Sequence, residues 1–454
     1  MSGKVFSSEP VEVEKITTKY RTIRTKLPVP ESVPILKEMY EVEAHAMHGQ
    51  LPMIWKRAED FQIFDYWGNT WLDFTSTIFV ANAGHGNKNI VKSLKAVLNK
   101  PLLHTYTYAS KERINYLKYL IKSTSKQFEK AFLLSAGTEA TEVALKLMRL
   151  NGQRQTKRKK GVVCFNGAYH GRTMGAQMMT GNTAAKDWIG YQDPNIHHLN
   201  FPYPWEINNP REFFYTEIEQ LLKDKKLNAD SDLCGFMLET FQGWGAVFYP
   251  KEFVHALVDF AKKHNMLITF DEMQAGFGRT GKLFGYEHYG IEPDILCCGK
   301  GASSGLPLSI VMGSKEIMDL PDIGSMSSTH SANPLVCVAG YHNLREILEG
   351  GLILNSKELG SIFHEKLNAI KDKYPKHLKY VFGKGLLAAL IFIDESGKPL
   401  DSLCDKISEK AFQKGLLVVH TGRESIKLAP PLTITKDAML EGLEVISQCI
   451  EESI

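Results

Sequence analysis

Two strand-length, largely apolar runs, residues 267–270 and Ile295–Cys298, each end in a charged side chain set near glycines. Asp271 follows the first run, and Lys300, between Gly299 and Gly301, follows the second. In an open α/β sheet ligands bind beyond the carboxyl ends of the strands, so a carboxylate and an amine delivered there can face one bound molecule. A cofactor carrying both a basic ring nitrogen and an aldehyde would use the pair. The carboxylate would keep the ring nitrogen protonated, making the ring an electron sink, and the amine would condense with the aldehyde as a Schiff base. An ordinary salt bridge at a sheet edge would use the same two residues, so the surrounding sequence has to decide.

Asp271-Glu272-Met273-Gln274 is followed by Gly276-Phe277-Gly278-Arg279-Thr280-Gly281, and Pro293-Asp294-Ile295 by Lys300-Gly301. Upstream, Ser135-Ala136-Gly137-Thr138-Glu139-Ala140 joins a strand at 131–135 to a segment in which Ala140, Val143, Ala144, Leu147 and Met148 recur at helical spacing. A strand, a small-residue turn and a helix amino terminus together make an anion site, because free backbone N–H groups and the helix dipole converge there. A second strand, starting at Gly161, runs into Asn166-Gly167-Ala168-Tyr169-His170-Gly171-Arg172. Over nearly the whole chain this resembles the class III, or subgroup II, pyridoxal-phosphate-dependent aminotransferases, with Met273 where that family has valine.

The resemblance implies an α/β protein of fold type I. A mostly parallel central sheet would lie in a large cofactor-binding domain, 76–340. A smaller α/β domain would form from both chain ends, 1–75 and 341–454. Lys300 would be the Schiff-base lysine and proton carrier, and Asp271 the partner of the ring nitrogen. The resemblance places Gly137 and Thr138 at the cofactor phosphate, Tyr169 on one ring face, Met273 on the other and Gln274 at the ring hydroxyl. Glu239 belongs to the kept part of a segment ending Gln242-Gly243 and counts among the cofactor residues, with Thr240 where proline is usual. Thr329, before Asn333-Pro334, would serve the phosphate of a second subunit, which implies a homodimer with shared active sites. His170 is read as structural.

Substrate choice departs from the family. Many members grip an α-carboxylate with an arginine just before Ala-Pro-Pro-Leu and pair that arginine with a glutamate; here Lys427 and Trp244 stand at the two positions. Both halves have changed together. A lysine can bind an anion as a point charge but lacks the bidentate fork of arginine. Ile78, near the place where other members carry a carboxylate-binding side chain, cannot hydrogen-bond; it would line the pocket or pack at a domain joint. Arg423 is a further anion candidate, with a surface role expected. The expected reaction is amino transfer between an amine or amino acid, of a non-α or otherwise atypical kind, and a keto acid or aldehyde. A racemase, aminomutase or ammonia-lyase on the same fold is the alternative.

The remaining features narrow the class. With 454 residues, 43% of them hydrophobic, the chain can bury a large core. A net charge of +3 gives no electrostatic case for nucleic acid. The basic run 157–160 reads as a solvated loop. Seven cysteines without paired metal spacing read as buried small hydrophobes in a reducing compartment, so no metal site is expected. No run reaches the roughly 18 apolar residues of a membrane span, and no signal-peptide core opens the chain, which points to a cytoplasmic enzyme. Residues 1–35, broken by Pro28, Pro30 and Pro34, are expected as an arm on the surface or on a partner. A hairpin is expected around Trp67-Gly68-Asn69, a strand starting at 383–387 and another over 416–420.

Overall fold

A strand buried on both faces has no polar side to show, so it reads as a continuous apolar run rather than an alternating one. Such runs form the inner strands of the seven-stranded central sheet of the computed structural model, which describes residues 5–100 and 102–454, and the two edge strands are less buried. The seven strands are β1 (Lys130–Leu134), β2 (Gly161–Phe165), β3 (Ile196–Leu199), β4 (Leu233–Glu239), β5 (Leu267–Asp271), β6 (Ile295–Cys298) and β7 (Ser309–Gly313). Their spatial order is β1-β7-β6-β5-β4-β2-β3, and β7 alone runs antiparallel to its two neighbours. The sheet is the mostly parallel one expected of fold type I.

Register decides what the sheet delivers. Asp271, the last residue of β5, lies opposite Glu239, the last of β4, and opposite Cys297 of β6. Lys300 follows three residues after Cys297, so two carboxylates and an amine leave three adjacent strands at one edge. Helix α1 (Gly137–Gln155) covers one face, setting Ala144, Leu147 and Met148 against Cys164, Cys234 and Met237. Helices Pro210–Lys225 and Lys251–Lys263 cover the other, with Phe214, Phe253 and Phe260 on Phe236 and Ile268.

The two chain ends meet. The expected hairpin is present, with Gln62–Phe64 antiparallel to Thr70–Asp73. The segment 416–420 was expected as one strand and is divided between two sheets. Leu416–Leu417 pairs parallel with Thr70–Asp73, while Val419–His420 pairs with Ser425–Leu428 in a four-stranded antiparallel sheet. Residues 383–387 are a turn rather than a strand start. Gly383 and Gly385 take positive φ there, between strands Leu378–Gly383 and Ala388–Phe392.

Two further expectations are corrected. The amino-terminal segment is more than a surface arm: Ile23, Leu27 and Val29 are buried with Trp71, Phe412 and Leu417. Its apolar residues are too scattered to pack on one another, and their cover comes from the hairpin and from the other chain end. Residues 1–4 lie outside the described residues. Within the basic run Lys159 is 1% exposed, its ammonium donating to Gln155 Oε1 at 2.8 Å and to the His264 carbonyl at 2.7 Å. That carbonyl caps a helix carboxyl end, where a cation is favoured. Burial holds the Lys159 amine below the ordinary lysine range. All seven cysteines are free and buried.

Trp71 is the clearest joint between the ends, stacked on Phe412 with centroids 5.7 Å apart and donating from Nε1 to the Phe412 carbonyl at 2.8 Å. Trp71→Ala is expected to remove about 3–5 kcal/mol of stability, read as a lowered midpoint in denaturant unfolding. An unchanged midpoint would mean that the ends do not stabilise one another through this contact.

Candidate active site

Three strand ends set the chemistry. Lys300 holds a left-handed φ of 42°, a conformation that costs energy in a residue with a Cβ and persists only where the surroundings enforce it. Burial lowers its amine below the ordinary lysine range, against the opposing pull of Asp271 and Glu239. A neutral amine is the form that can attack a carbonyl or accept a proton. Asp271 is 4% exposed. Its Oδ2 accepts from His170 Nδ1 at 2.9 Å and its Oδ1 from the Met273 amide at 3.0 Å. His170, expected to be structural only, thus backs the carboxylate, while its Nε2 is buried without a hydrogen-bond partner among the described residues. Glu239 is buried too, accepting from the Tyr169 amide at 3.1 Å and the Gly243 amide at 3.4 Å. Burial pushes its carboxyl up to about 7.

The turn before α1 has a single economical arrangement. The Glu139 carboxylate takes the amides of Ser135 and Ala136, both at 2.8 Å. The next two amides, those of Gly137 and Thr138, find no acceptor among the described residues and open a 19-residue helix. Thr138 Oγ1 shares a hydrogen bond of 2.5 Å with Thr173, which donates to Glu142 at 2.6 Å. Met273 is wedged between this turn and the lysine turn. A Cβ on Gly137 would come within 3.0 Å of its sulfur, and one on Gly299 within 2.5 Å. Tyr169 keeps 41% of its surface exposed, with the Arg172 guanidinium 5.7 Å from the ring centroid.

These donors suit one kind of molecule. Free amides at a helix start fit a phosphate, and a buried carboxylate backed by a histidine fits a protonated ring nitrogen. An exposed tyrosine face fits a flat ring, and an amine held neutral fits an aldehyde. Pyridoxal phosphate has all four groups, so the residues present fit it.

The substrate side is built differently from the expectation. Lys427 is 5% exposed. Its Nζ donates to the Gly243 carbonyl at 2.6 Å and to Gln274 Oε1 at 3.0 Å, and lies 4.6 Å from the centroid of Phe79. Burial pushes it down to about 7, with Glu239 opposing and Lys300 adding to the fall. Trp244 donates from Nε1 to Gln242 Oε1 at 2.8 Å and carries the Arg423 guanidinium 3.7 Å above its ring. Arg423 also pairs with Glu424. The threonine in the usual proline position has a use as well, since Thr240 donates its hydroxyl to the buried Glu272.

Ile78 is 42% exposed in Ser76–Phe79, a run whose φ angles of 47°, 50°, 62° and 69° are all left-handed. Arg279 holds this run. Its fork donates to Ser76 Oγ at 3.0 Å, Asn82 Oδ1 at 2.6 Å, and the carbonyls of Leu386 and Pro430 at 3.0 and 2.5 Å. Arg279 and Phe79 carried no assigned role in the sequence reading; the glycine-flanked arginine was the available signal for the first. Thr329 is exposed, with its carbonyl accepting from His104 Nε2 at 2.6 Å, and makes no contact with the Lys300 cluster among the described residues.

The sequence profile described as aminotransferase class-III matches residues 44–450. The 4-aminobutyrate aminotransferase of Escherichia coli is 31% identical over 416 residues, 89% of this chain and 95% of that protein. An alanine/serine racemase of Pyrococcus horikoshii is 29% identical over 99% of this chain and 96% of its own length. Among solved structures, a thermostable (S)-enantioselective omega-transaminase from Thermomicrobium roseum superposes with a TM-score of 0.85 at 25% identity, covering 93% of this chain and 99% of that one. A profile match of this length, on a site that fits the cofactor, makes the chain a member of the class III aminotransferases, enzymes that work with pyridoxal phosphate.

Proposed function

We propose that this aminotransferase takes its amino group from amines or amino acids whose reacting amine is not flanked by a carboxylate, and passes it to a keto acid or aldehyde. One observation carries the reading. Lys427, the cation at the family's α-carboxylate position, is buried and commits two of its three donors to Gly243 and Gln274. Trp244 and the half-exposed Ile78 are apolar and present no fork for a carboxylate. 2-Oxoglutarate would therefore not be gripped in the usual way.

Bound pyridoxal phosphate supplies an electron sink that acidifies the carbon bearing the substrate amine. In this reading Asp271 holds the proton on the ring nitrogen, and His170 keeps that carboxylate oriented. Gly137 and Thr138 bind the phosphate through their amides. Tyr169 and Met273 would hold the ring between them and Gln274 would donate to its hydroxyl, while Glu239 ties Tyr169 to the Gly243 loop. Lys300 would hold the cofactor's aldehyde carbon through Nζ, and that nitrogen, in its neutral form, would accept the proton of the carbon bearing the substrate amine and give it back. Thr329, exposed on one chain, suits a homodimer in which it reaches the partner's phosphate. Seven free thiols suit the cytoplasm, and the division at 75 and 340 suits the meeting of the chain ends.

A second reading, racemase, aminomutase or ammonia-lyase chemistry, is favoured by the end-to-end match to the alanine/serine racemase. The two separate in a half-reaction. A panel of amines, ω-amino acids, diamines and amino sugars, added without acceptor, is expected to convert the cofactor to its pyridoxamine form, seen as loss of visible absorbance. Ordinary α-amino acids should do so at least about tenfold more slowly, the discrimination available from a missing charge-assisted contact. Faster conversion by α-amino acids would overturn the donor class, and turnover without pyridoxamine would favour the second reading.

Lys300→Ala is expected to leave less than about a thousandth of the activity. Mixing that variant with Thr329→Val tests the shared site. Hybrid dimers regain one complete site if Thr329 crosses the interface, whereas no gain over the separate variants would place Thr329 outside the partner's site.

A further inference from the structure

We infer that Gln242 is a positioning residue that joins the two halves of the site: its amide oxygen sets the Trp244 indole on the substrate side, and its amide nitrogen sets the loop that carries Tyr169 on the cofactor side. The inference rests on the aminotransferase reading above and adds to it the residue that fixes the substrate wall.

The amide has one workable orientation. Gln242 is fully buried, and its Oε1 accepts from Trp244 Nε1 and from the Tyr203 hydroxyl, each at 2.8 Å. Its Nε2 donates to the Asn166 carbonyl. An indole N–H can only donate and a carbonyl can only accept, so turning the amide over would set donor against donor at one end and acceptor against acceptor at the other. Each group left unpaired in the interior would carry its desolvation cost.

Close packing carries that orientation to the cofactor side. Gly167 takes a φ of 81° against the amide, and a Cβ there would come within 2.7 Å of Gln242 Oε1 and 2.8 Å of its Nε2. Asn166 and Gly167 lead into Tyr169, whose own amide donates to Glu239 at 3.1 Å. The stacking tyrosine is therefore held at its N–H by Glu239 and three residues earlier by Gln242.

The same residue starts the turn that bears Trp244. Gln242 pairs with Val247 in a two-stranded ribbon, and the turn between them sets Gly243 so close to Gln274 that a Cβ would lie 2.3 Å from its Nε2. Trp244 follows at the edge of that contact. Its carbonyl accepts from Ser425 Oγ at 2.8 Å, and the Arg423 guanidinium lies 3.7 Å from the centre of its ring. With nitrogen, carbonyl and ring all held, the indole is a preorganised wall that loses little further freedom when a substrate packs on it. Such a wall favours a donor whose amine carries a flat apolar group.

The test uses the cofactor-loaded enzyme and two reagents that capture the bound aldehyde whatever the natural donor is, hydroxylamine and the larger O-benzylhydroxylamine. Each rate is followed by visible absorbance. The ratio of the two rates reads the wall separately from cofactor reactivity, and visible circular dichroism reads the tilt of the ring. Gln242→Leu is expected to shift the ratio about fivefold, the effect of one net hydrogen bond, and to diminish the dichroism. Trp244→Phe should shift the ratio by a similar factor with the dichroism kept. In the Gln242→Leu background it should add less than about twofold, because the partner of the indole N–H has already gone. Gln242→Glu keeps an acceptor oxygen for the indole and should hold the ratio within about twofold of wild type. Additive shifts for the two substitutions would overturn the inference, as would a ratio that Trp244→Phe leaves unmoved or unchanged dichroism in Gln242→Leu. If Gln242→Leu fails to fold, a ratio shifted about fivefold in Gln242→Glu overturns it alone. A wild type that takes up no cofactor, or turns over donors without forming pyridoxamine, fails the reading above instead, and that is seen before any variant is made.

Discussion

A guanidinium sealed from water, with no carboxylate paired to it among the described residues, is the constraint on which the site's walls depend. Arg279 is fully buried, and burial pushes it down to about 9, with Asp73 opposing from a distance. Stripping a charge of its hydration is costly unless dipoles replace the water. Here the replacements come from three separated stretches: Ser76 and Asn82 at the domain joint, Leu386 in a strand turn, and Pro430 just beyond Lys427. Ser356 adds a bond to the Arg279 carbonyl at 3.0 Å. One side chain thereby fixes the Ile78 wall, the Lys427 strand and the turn after Asp271 relative to one another. A lysine could not do this, because its point charge lacks the planar fork that reaches four acceptors in two directions.

The same turn carries two adjacent carboxylates with opposite duties. Asp271 faces the amine and His170, while Glu272 points into the fold and accepts from Thr240 and from the amides of Gly285 and Tyr286, both at 2.7 Å. Burial lifts Glu272 to about 7, as it does Glu239. Alternation along an extended chain sends neighbours to opposite sides. That is why a single dipeptide can serve both the site and its scaffold. The threonine that replaces the family's proline at 240 belongs to this scaffold, so the departure reads as structural compensation rather than as altered chemistry.

Much of the catalytic half was legible before any coordinates. Asp271, Lys300 and the Gly137 turn lie at the ends of short apolar runs, and strand ends are local features that a sequence displays. What escaped were partnerships between distant residues. Lys427 reaches an amide 153 positions away, and His170 meets a carboxylate 101 positions away. No periodicity records such pairings. Lys159 shows the reverse error: four consecutive basic residues look solvated until a helix end 105 positions on supplies the carbonyl that buries one of them. The amino-terminal segment misled for the same reason, since Ile23 and Leu27 are core residues only in the presence of Phe412 and Leu417.

The left-handed run at Ser76–Phe79 has a consequence for how this pocket can change over generations. Each residue with a Cβ costs roughly 1–2 kcal/mol in that conformation, and four stand in sequence. Elsewhere in a protein a new side chain in a pocket usually lowers stability. At the half-exposed Ile78 a change to glycine relieves strain as it opens space, so drift toward a roomier site there runs thermodynamically downhill. A well-shaped wall at Ile78 therefore has to be maintained by selection on turnover, because selection on folding alone would erode it.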